Sequence, residues 1–342
     1  MKKILSILVP VYNTEKYIKR CLDTIVIDEV IDDIEIIIVS DGSKDKAVEI
    51  AKEYSKKYPK SVIVIEKENG GHGSTINKGL EVATGKYFKV LDSDDWFNII
   101  DFVEFVNKLK KEDSDLVVTN YKQVHVYNQT EIEYKYKNLK EGEIYKFDDL
   151  DLDLLDGEYF VMATSTYKLD ILKKSGLHLL EKTFYVDMIY NIVPVEFVKT
   201  ITYYDLDIYR YYIGRKDQSV NTSSFVKNQD HHDRVVRWLL DFYDEKVEKY
   251  SNNKKKYVDI ILKYLLYTHY NIYLVYDNNY KNAAEKIKEF DNYLKKKNIY
   301  LYDELGKHGD IKIHRKYNFF FVKHFHVLFK KSYALLRTLR RG

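Results

Sequence analysis

Residues 86–96 read Lys86-Tyr87-Phe88-Lys89-Val90-Leu91-Asp92-Ser93-Asp94-Asp95-Trp96. The first half is a short aromatic and β-branched run set off by Thr84-Gly85, the pattern of a buried strand. The second half drops three carboxylates, Asp92, Asp94 and Asp95, just past that strand's carboxyl end. In an open α/β sheet this is the edge where ligands bind. Carboxylates at i and i+2 of a turn can point the same way, one toward a metal and one toward a hydroxyl. Hard divalent ions such as Mn²⁺ or Mg²⁺ take oxygen ligands and keep positions open for substrate phosphates. Asp92-Ser93-Asp94 therefore reads as a metal and nucleotide site. The plainer alternative is an acidic turn capping the next helix, since Asp before an apolar run is a common N-cap.

Upstream of this stretch the chain alternates between strand and helix. Ile4–Val9 reads as a strand, followed by a helix with Tyr17, Ile18, Cys21, Leu22 and Ile25 inward and Asn13 or Thr14 as its cap. Ile34–Val39 is a nearly continuous apolar run, as expected of a parallel strand buried on both faces. After Asp41-Gly42-Ser43, with Ser43 as cap, comes a helix with Ala47, Val48, Ile50, Ala51 and Tyr54 inward. Ser61–Ile65 is a third strand, Asn69–Gly73 a glycine-rich loop, and Ser74 to about Val82 a short helix. This repetition predicts βαβ units in a doubly wound, mostly parallel α/β sheet.

Downstream, the pattern predicts a helix over Ile100–Lys111, a strand over Asp115–Tyr121 and a hairpin insertion over Lys122–Phe147. Tyr159–Tyr167 and Asp170–Ser175 read as strand then helix, Phe184–Val198 as a helix broken near Pro194, and Thr200–Tyr212 as an edge strand. From Phe225 the periodicity is helical over Val235–Tyr243, Tyr257–Tyr276 and Ala283–Lys297, so a boundary is expected near residue 224. Residues 225–342 then form a helical C-terminal domain.

The composition narrows the classes further. With 342 residues, 45% of them hydrophobic, the chain can bury a real core, and 33 tyrosines against three prolines mark an ordered protein. A formal net charge of +3 is too mild for a nucleic-acid binder. The single Cys21 excludes an internal disulfide and fits a reducing, cytoplasmic compartment. The opening Met-Lys-Lys and its apolar run mimic a signal peptide, but Pro10 ends the run early, so a first strand is expected. No run reaches the roughly 20 apolar residues of a membrane span.

Four polar turns follow strands at one sheet edge: Pro10-Val11-Tyr12-Asn13, Asp41-Gly42-Ser43, Asn69-Gly70-Gly71-His72-Gly73 and Asp92-Ser93-Asp94. With their flanking strands, and in this order and spacing across roughly residues 4 to 97, they make the chain resemble the family 2 glycosyltransferases of GT-A fold. A weaker match continues to about residue 220, with a nucleotide-sugar half to about residue 121 and an acceptor half over 122–224. The resemblance implies that Pro10 and Tyr12 line the base of a UDP-sugar and that Asp41 accepts from the uracil imide N–H. It places Asn69 beside the base, Asp92 and Ser93 on ribose or metal-bound water, and Asp94 on Mn²⁺ or Mg²⁺ at the diphosphate. The residues themselves agree: a carboxylate is acceptor-only and suits an N–H donor, and glycines such as Gly71 permit close backbone approach to a ligand. One departure stands out. Where many members carry Arg before Asn-x-Gly, this chain has Ile76, leaving Lys78 or a later loop to supply the charge.

Glycosyl transfer with inversion needs a base for the acceptor hydroxyl, and a positioned carboxylate contributes on the order of 10²–10⁴-fold. Related enzymes present it in a Glu-Asp pair at a helix start. The matching place reads Phe184-Tyr185-Val186-Asp187, which makes Asp187 the expected base and Glu181 the reserve; a capping Asp is the plain alternative. Residues 213–220 resemble the family's segment that closes over the diphosphate, where Arg215 can grip phosphate in a bidentate manner. His72 reads equally as a ligand to sugar or acceptor and as an exposed loop residue. Met162, Thr164 and Ser165 read equally as donor-sugar contacts and as a buried strand.

The acid-free segment Phe319–Arg341 reads either as an interfacial helix for an anionic membrane or as a helix packed on its own domain. The expected acceptor is a saccharide, a lipid-linked saccharide or a protein. The helical third offers surface for pairing subunits into a homo-oligomer. Two rival readings are a nucleotidyltransferase, disfavoured because Pro10-Val11-Tyr12-Asn13 stands where a basic glycine-rich loop is needed, and a non-catalytic nucleotide-sugar binder.

Overall fold

The computed structural model describes residues 3–215 and 218–324. The chain divides into two compact units, Met1–Arg215 with Lys249–Tyr257, and Lys216–Glu248 with Val258–Gly342. The first unit thus stops short of residue 224 and takes back a later stretch, which is hydrogen-bonded into it. Phe160 N–H donates to the Tyr257 hydroxyl at 2.9 Å, and Asn253 Nδ2 donates to the Phe147 and Leu150 carbonyls at 2.7 Å each.

In the first unit β1 (Leu5–Val11), β2 (Ile34–Asp41), β3 (Val62–Lys67) and β4 (Tyr87–Val90) alternate with α1 (Ile18–Asp23), α2 (Ala47–Lys57) and α3 (His72–Val82). There follow β5 (Trp96–Phe97), α4 (Ile99–Leu109), β6 (Leu116–His125), β7 (Glu131–Tyr134), β8 (Ile144–Lys146), β9 (Ser165–Lys168), α5 (Leu169–Lys174), α6 (Asp187–Ile192) and β10 (Thr200–Ile213). The sheet order is β3-β2-β1-β4-β9-β6-β10-β5, with β7 on β6 and β8 on β10. β1 to β4 are mutually parallel, as are β6 and β10, while β9 runs antiparallel between β4 and β6. The sheet is therefore mixed, with the expected doubly wound parallel half formed by its first four strands. Every residue of β1 and β2 is buried, as two-faced coverage by helices demands. Glu35, near the start of β2, accepts from the Ser6 hydroxyl, from Thr84 N and Oγ1, and from Gly85 N, which is how a charge survives there.

Two local expectations are corrected. β10 is internal, between β6 and β5. Its Tyr-polar alternation looks half-exposed, but Tyr203 and Tyr209 bury their rings and bond through their hydroxyls to Asn120 and Asp95. Asn13, Thr14 and Ser43 cap no helix with their side chains; at the start of α2, Ala47 N donates to Asp45 Oδ1 at 3.1 Å. Asn13 and Ser43 instead lace the turns after β1 and β2 together, Lys44 N donating to Asn13 Oδ1 at 2.8 Å and Asn13 N to Ser43 Oγ at 3.2 Å. Thr164 and Ser165 are buried at the start of β9, and Thr164 spends its hydroxyl on the Val161 carbonyl and Tyr136.

The second unit is helical, as its periodicity predicts: α7 (Thr222–Lys227), α8 (Gln229–Lys246), the later turns of α9 (Asn252–Asn271), α10 (Tyr280–Lys297), α11 (Ile299–Leu305), α12 (Gly309–Lys316) and α13 (Phe320–His324). No helix among the described residues is long and apolar enough to cross a membrane. Most of the basic segment Phe319–Arg341, and Lys216 and Asp217 of the 213–220 loop, lie outside the described residues.

Inside this unit His232 and His269 stack with their Nδ1 atoms 3.1 Å apart. Both are buried, and a hydrogen bond between two Nδ1 atoms requires one of them to be deprotonated. Burial pushes His232 well below its ordinary pKa, and burial followed by the Arg237 charge pushes His269 down to about 3. Arg237 itself pairs with Asp233, whose other oxygen lies 3.5 Å from His269 Nε2. In the unfolded chain both imidazoles titrate near 6.5, so their contribution is intact above that pH and is lost as the pH falls below it. The urea unfolding free energy should drop between pH 6.5 and 5.5 by up to about 1.4 kcal/mol per histidine; a level profile from pH 7.5 to 5.5 contradicts this.

Candidate active site at the carboxyl edge of the sheet

β2 ends on Asp41, whose carboxylate is only 3% exposed. Its Oδ1 accepts from Gly70 N at 2.8 Å and Lys67 Nζ at 3.0 Å, with the Ser74 hydroxyl at 3.3 Å, and its Oδ2 accepts from Gly71 N at 2.8 Å. Asn69 Nδ2 donates to the Asp41 carbonyl at 3.0 Å. The side chain expected to meet a uracil thus first builds the loop after β3. A carboxylate has about four acceptor positions, and these four donors place three contacts on Oδ1 and one on Oδ2.

That loop in turn holds the segment leading to Asp187. Lys182 N donates to the Gly70 carbonyl at 2.5 Å, and Asn77 makes a reciprocal pair with Leu179, Nδ2 to the carbonyl at 2.9 Å and Oδ1 from the amide at 2.8 Å. The fit requires glycine. A Cβ on Gly73 would stand 2.5 Å from the Leu180 carbonyl oxygen, and Gly71 has φ +83° with its Cβ position 3.1 Å from Lys182 N. Further along, Tyr185 sits at φ 66°, a conformation costly for an aromatic residue and typical of functional sites. Two residues later Asp187 opens α6. Burial raises its pKa above the usual carboxylate range and the Asp92 charge adds to the rise, while His72 pulls it back.

His72, at the start of α3, lies with Nε2 2.9 Å from Asp92 Oδ1. Burial alone would discourage its charge, but Asp92, Asp187 and Asp94 outweigh burial and raise its pKa. The three carboxylates past β4 have divided their work. Asp95 is fully buried, taking the Tyr209 hydroxyl on Oδ2 at 2.7 Å and Tyr212 N on Oδ1 at 2.8 Å. Burial, reinforced by Asp94 and Asp92, lifts its pKa well above normal, so it is a structural acid that anchors the turn to β10. Asp94 pairs with the Arg215 guanidinium, and its carbonyl accepts from Arg20 Nη2 at 2.9 Å. Asp92 N donates to Tyr209 Oη at 3.2 Å, and Cys21 packs behind the turn with Sγ 3.9 Å from the Asp92 carbonyl.

The remaining expected residues fall on the same rim or just outside it. Tyr12 is 53% exposed beyond β1, Pro10 is buried inside β1, Asn69 is exposed, and Ser93 is 4% exposed beneath the acidic turn. Glu181 is exposed, six residues before Asp187. Ile76 is fully buried, so an arginine there would point into the core of this protein. Lys78 pairs with Glu81 on the outer face of α3 and does not replace that charge; Arg215, from the later loop, meets Asp94. Arg20, Tyr209 and Asn77 escaped sequence reading, because their roles arise from partners 74, 117 and 102 residues away. Lys89 did carry a signal, a lysine inside an apolar strand: it is buried, donates to the Ala163 carbonyl at 2.7 Å, and burial lowers its pKa to about 7.

Asp92 and Asp94, with side chains 31% and 18% exposed, provide hard oxygen donors from one turn. Among the described residues no group of three or more His, Cys, Asp or Glu is assembled to hold a metal by itself. That donor set fits Mg²⁺ or Mn²⁺, which take one or two carboxylates and complete their shell with water and phosphate.

An alternating βα half-sheet with an acidic turn at its carboxyl edge, continued by an antiparallel insertion, is the GT-A fold. Residues 6–175 match the profile described as Glycosyl transferase family 2, and the chain belongs to that family. It is 45% identical to EpsH of Bacillus subtilis over 116 residues, covering 34% of this chain and 33% of EpsH. It is 36% identical over 124 residues to the poly(ribitol-phosphate) beta-glucosyltransferase of Bacillus spizizenii, covering 35% of this chain and 19% of that protein. The fold likeness extends further: S. aureus TarS 1–349 superposes with a TM-score of 0.67 at 17% identity, over 97% of this chain and 91% of that one. TarS 1–349 has also been crystallised with UDP-GlcNAc.

The Asp41 cage makes a stability prediction. Asp41→Ala removes the acceptor of the buried Gly70 amide, of the half-buried Gly71 amide and of one Lys67 contact, and should cost about 3 kcal/mol in urea unfolding. Asn69→Ala, which removes one exposed contact, should cost under about 1 kcal/mol. Equal losses would show that the cage is not the organising element.

Proposed function

We propose that the protein is a metal-dependent, inverting glycosyltransferase that moves a sugar from a UDP-sugar to a hydroxyl of a saccharide acceptor, in the synthesis of a cell-surface polysaccharide or glycoconjugate. The observation that carries this reading is the shared rim. A turn suited to a diphosphate-bound cation stands within electrostatic reach, through His72, of a carboxyl with raised proton affinity at a helix start. The bound UDP-GlcNAc of TarS supports a UDP-sugar donor, and the poly(ribitol-phosphate) beta-glucosyltransferase among the relatives supports a surface polymer as product.

In this reading Pro10 and Tyr12 flank the uracil, Asn69 lies beside it, and Asp41 accepts its imide N–H. Gly71 lets the backbone approach the donor, Asp92 and Ser93 form the ribose side of the turn, and Asp94 is the residue that would hold Mn²⁺ or Mg²⁺. Such an ion, when bound, acts as a Lewis acid on the departing diphosphate and stabilises it by several kcal/mol. Arg215 supplies a bidentate cation for phosphate. Asp187 takes the proton of the acceptor hydroxyl as that oxygen attacks the anomeric carbon from the face opposite the diphosphate. The new bond therefore forms with inverted configuration. The raised pKa of Asp187 makes it a stronger base than an ordinary aspartate. The acceptor is a saccharide, free or carried on lipid or protein, and the basic, aromatic sequence 319–341 suits contact with an anionic membrane at the cytoplasmic face.

Two measurements test this. In a thermal-shift panel of UDP-sugars with MnCl₂, a cognate donor at a hundredfold excess over Kd should stabilise the protein by about 2.7 kcal/mol; no shift with any UDP-sugar argues against the donor class. In transfer assays Asp187→Asn should lower kcat by roughly 10²–10⁴-fold with donor binding retained, whereas an unchanged kcat removes Asp187 as the base.

A further inference from the structure

The contact between Arg215 and Asp94 has a second meaning once the rim is viewed as a charge balance. We infer that Arg215 is an exchangeable counter-cation for Asp94: it holds the carboxylate while no donor is bound and yields it to a divalent cation when a nucleotide diphosphate takes the guanidinium. The inference rests on the reading of Asp94 as the metal's ligand.

The geometry is specific. Arg215 pairs with Asp94 Oδ2, both side chains being mostly buried, at 12% and 18% exposed. An oxygen engaged by a guanidinium is not free for a metal, and two cations on one carboxylate oxygen repel each other. The guanidinium lies over the Tyr17 ring at 4.7 Å. Tyr17 packs on Tyr212 at 6.1 Å, Tyr212 faces Arg20 at 4.5 Å, and Arg20 lies over Trp96 at 3.6 Å. The two arginines of this aromatic stack grip the same residue, Arg20 at the Asp94 carbonyl and Arg215 at its carboxylate. Arg20 comes from a helix and keeps the peptide in place, whereas Arg215 follows Gly214 at φ +103° just past the end of β10. One grip is therefore fixed, and the other hangs on a residue with wide backbone freedom.

Across the turn His72 sits on Asp92 as Arg215 sits on Asp94, with Nε2 2.9 Å from Oδ1. A nucleotide diphosphate is a better partner for a guanidinium fork than one carboxylate, since it offers more charge and paired oxygens. Exchange then links the two binding events. Metal alone competes with Arg215 for Asp94, whereas metal arriving with a diphosphate meets a carboxylate that Arg215 has left. The consequence is ordered loading, with divalent cation binding weakly unless the nucleotide is present.

The test is a titration of free Mn²⁺ by electron paramagnetic resonance on the full chain, with and without UDP, for wild type, Arg215→Gln, Asp94→Asn and the double variant. Circular dichroism melting confirms that each variant is folded. Without UDP, R215Q should bind Mn²⁺ at least tenfold tighter than wild type; saturating UDP should close that gap to under threefold, and D94N should abolish the gain. Equal Mn²⁺ affinities for wild type and R215Q without UDP, with D94N still lowering binding, overturn the exchange and leave the metal site standing. If D94N leaves Mn²⁺ binding unchanged in both backgrounds, the assignment of the metal to Asp94 fails and the exchange falls with it.

Discussion

A single buried carboxylate, Asp41, carries the arrangement of the rim. It ends a strand whose every residue is buried, so it cannot retreat to water, and it must be met by donors where it stands. The donors it recruits are the amides of Gly70 and Gly71 and the ammonium of Lys67. Those contacts shape a loop tight enough that Gly71 and Gly73 lie against the 180–182 backbone. The same loop launches α3, putting His72 beside Asp92 and Asn77 against Leu179. Through these links a residue on β2 sets the position of the segment that ends at Asp187. Local strain at Tyr185 is tolerated because the segment is held on both sides.

The electrostatics follow from that packing. Asp94 and Asp92 both raise the proton affinity of Asp95, and Asp92 raises that of Asp187, yet the four acids are handled differently. Asp95 is buried against Tyr209 and Tyr212, and burial lifts its pKa well above normal. Asp92 faces a histidine and Asp94 an arginine. Asp187, raised chiefly by burial, opens α6. These differences between like groups come from their surroundings and not from their chemistry.

Much of this was legible in the chain. The alternation of Ile34–Val39 with the amphipathic runs around it announces a parallel half-sheet, and the acidic turn at Asp92-Ser93-Asp94 follows β4 as the sequence implies. Periodicity says nothing about the partners of those turns. Asn13 and Ser43 look like helix caps because capping is the commonest local use of such residues, yet they tie two turns together across 30 residues. β10 looks like an edge strand because tyrosine reads as half-polar, although its ring can be buried and its hydroxyl bonded. The roles of Arg20, Asn77 and Tyr209 exist only after the sheet has closed, so no window of sequence contains them. The departure at Ile76 looked like a missing charge; it is a core position, and Arg215, more than a hundred residues later, pairs with Asp94.

The central claim is that this rim draws a nucleotide diphosphate and a divalent cation to Asp94. Anomalous diffraction from crystals soaked with UDP and MnCl₂ tests it most directly. The account predicts a manganese peak about 2.1 Å from an Asp94 carboxylate oxygen, with the diphosphate on the same ion and the Arg215 guanidinium moved from Asp94 to phosphate. UDP bound elsewhere, or a rim in which Asp94 stays paired with Arg215 while manganese is bound by other residues, would contradict it.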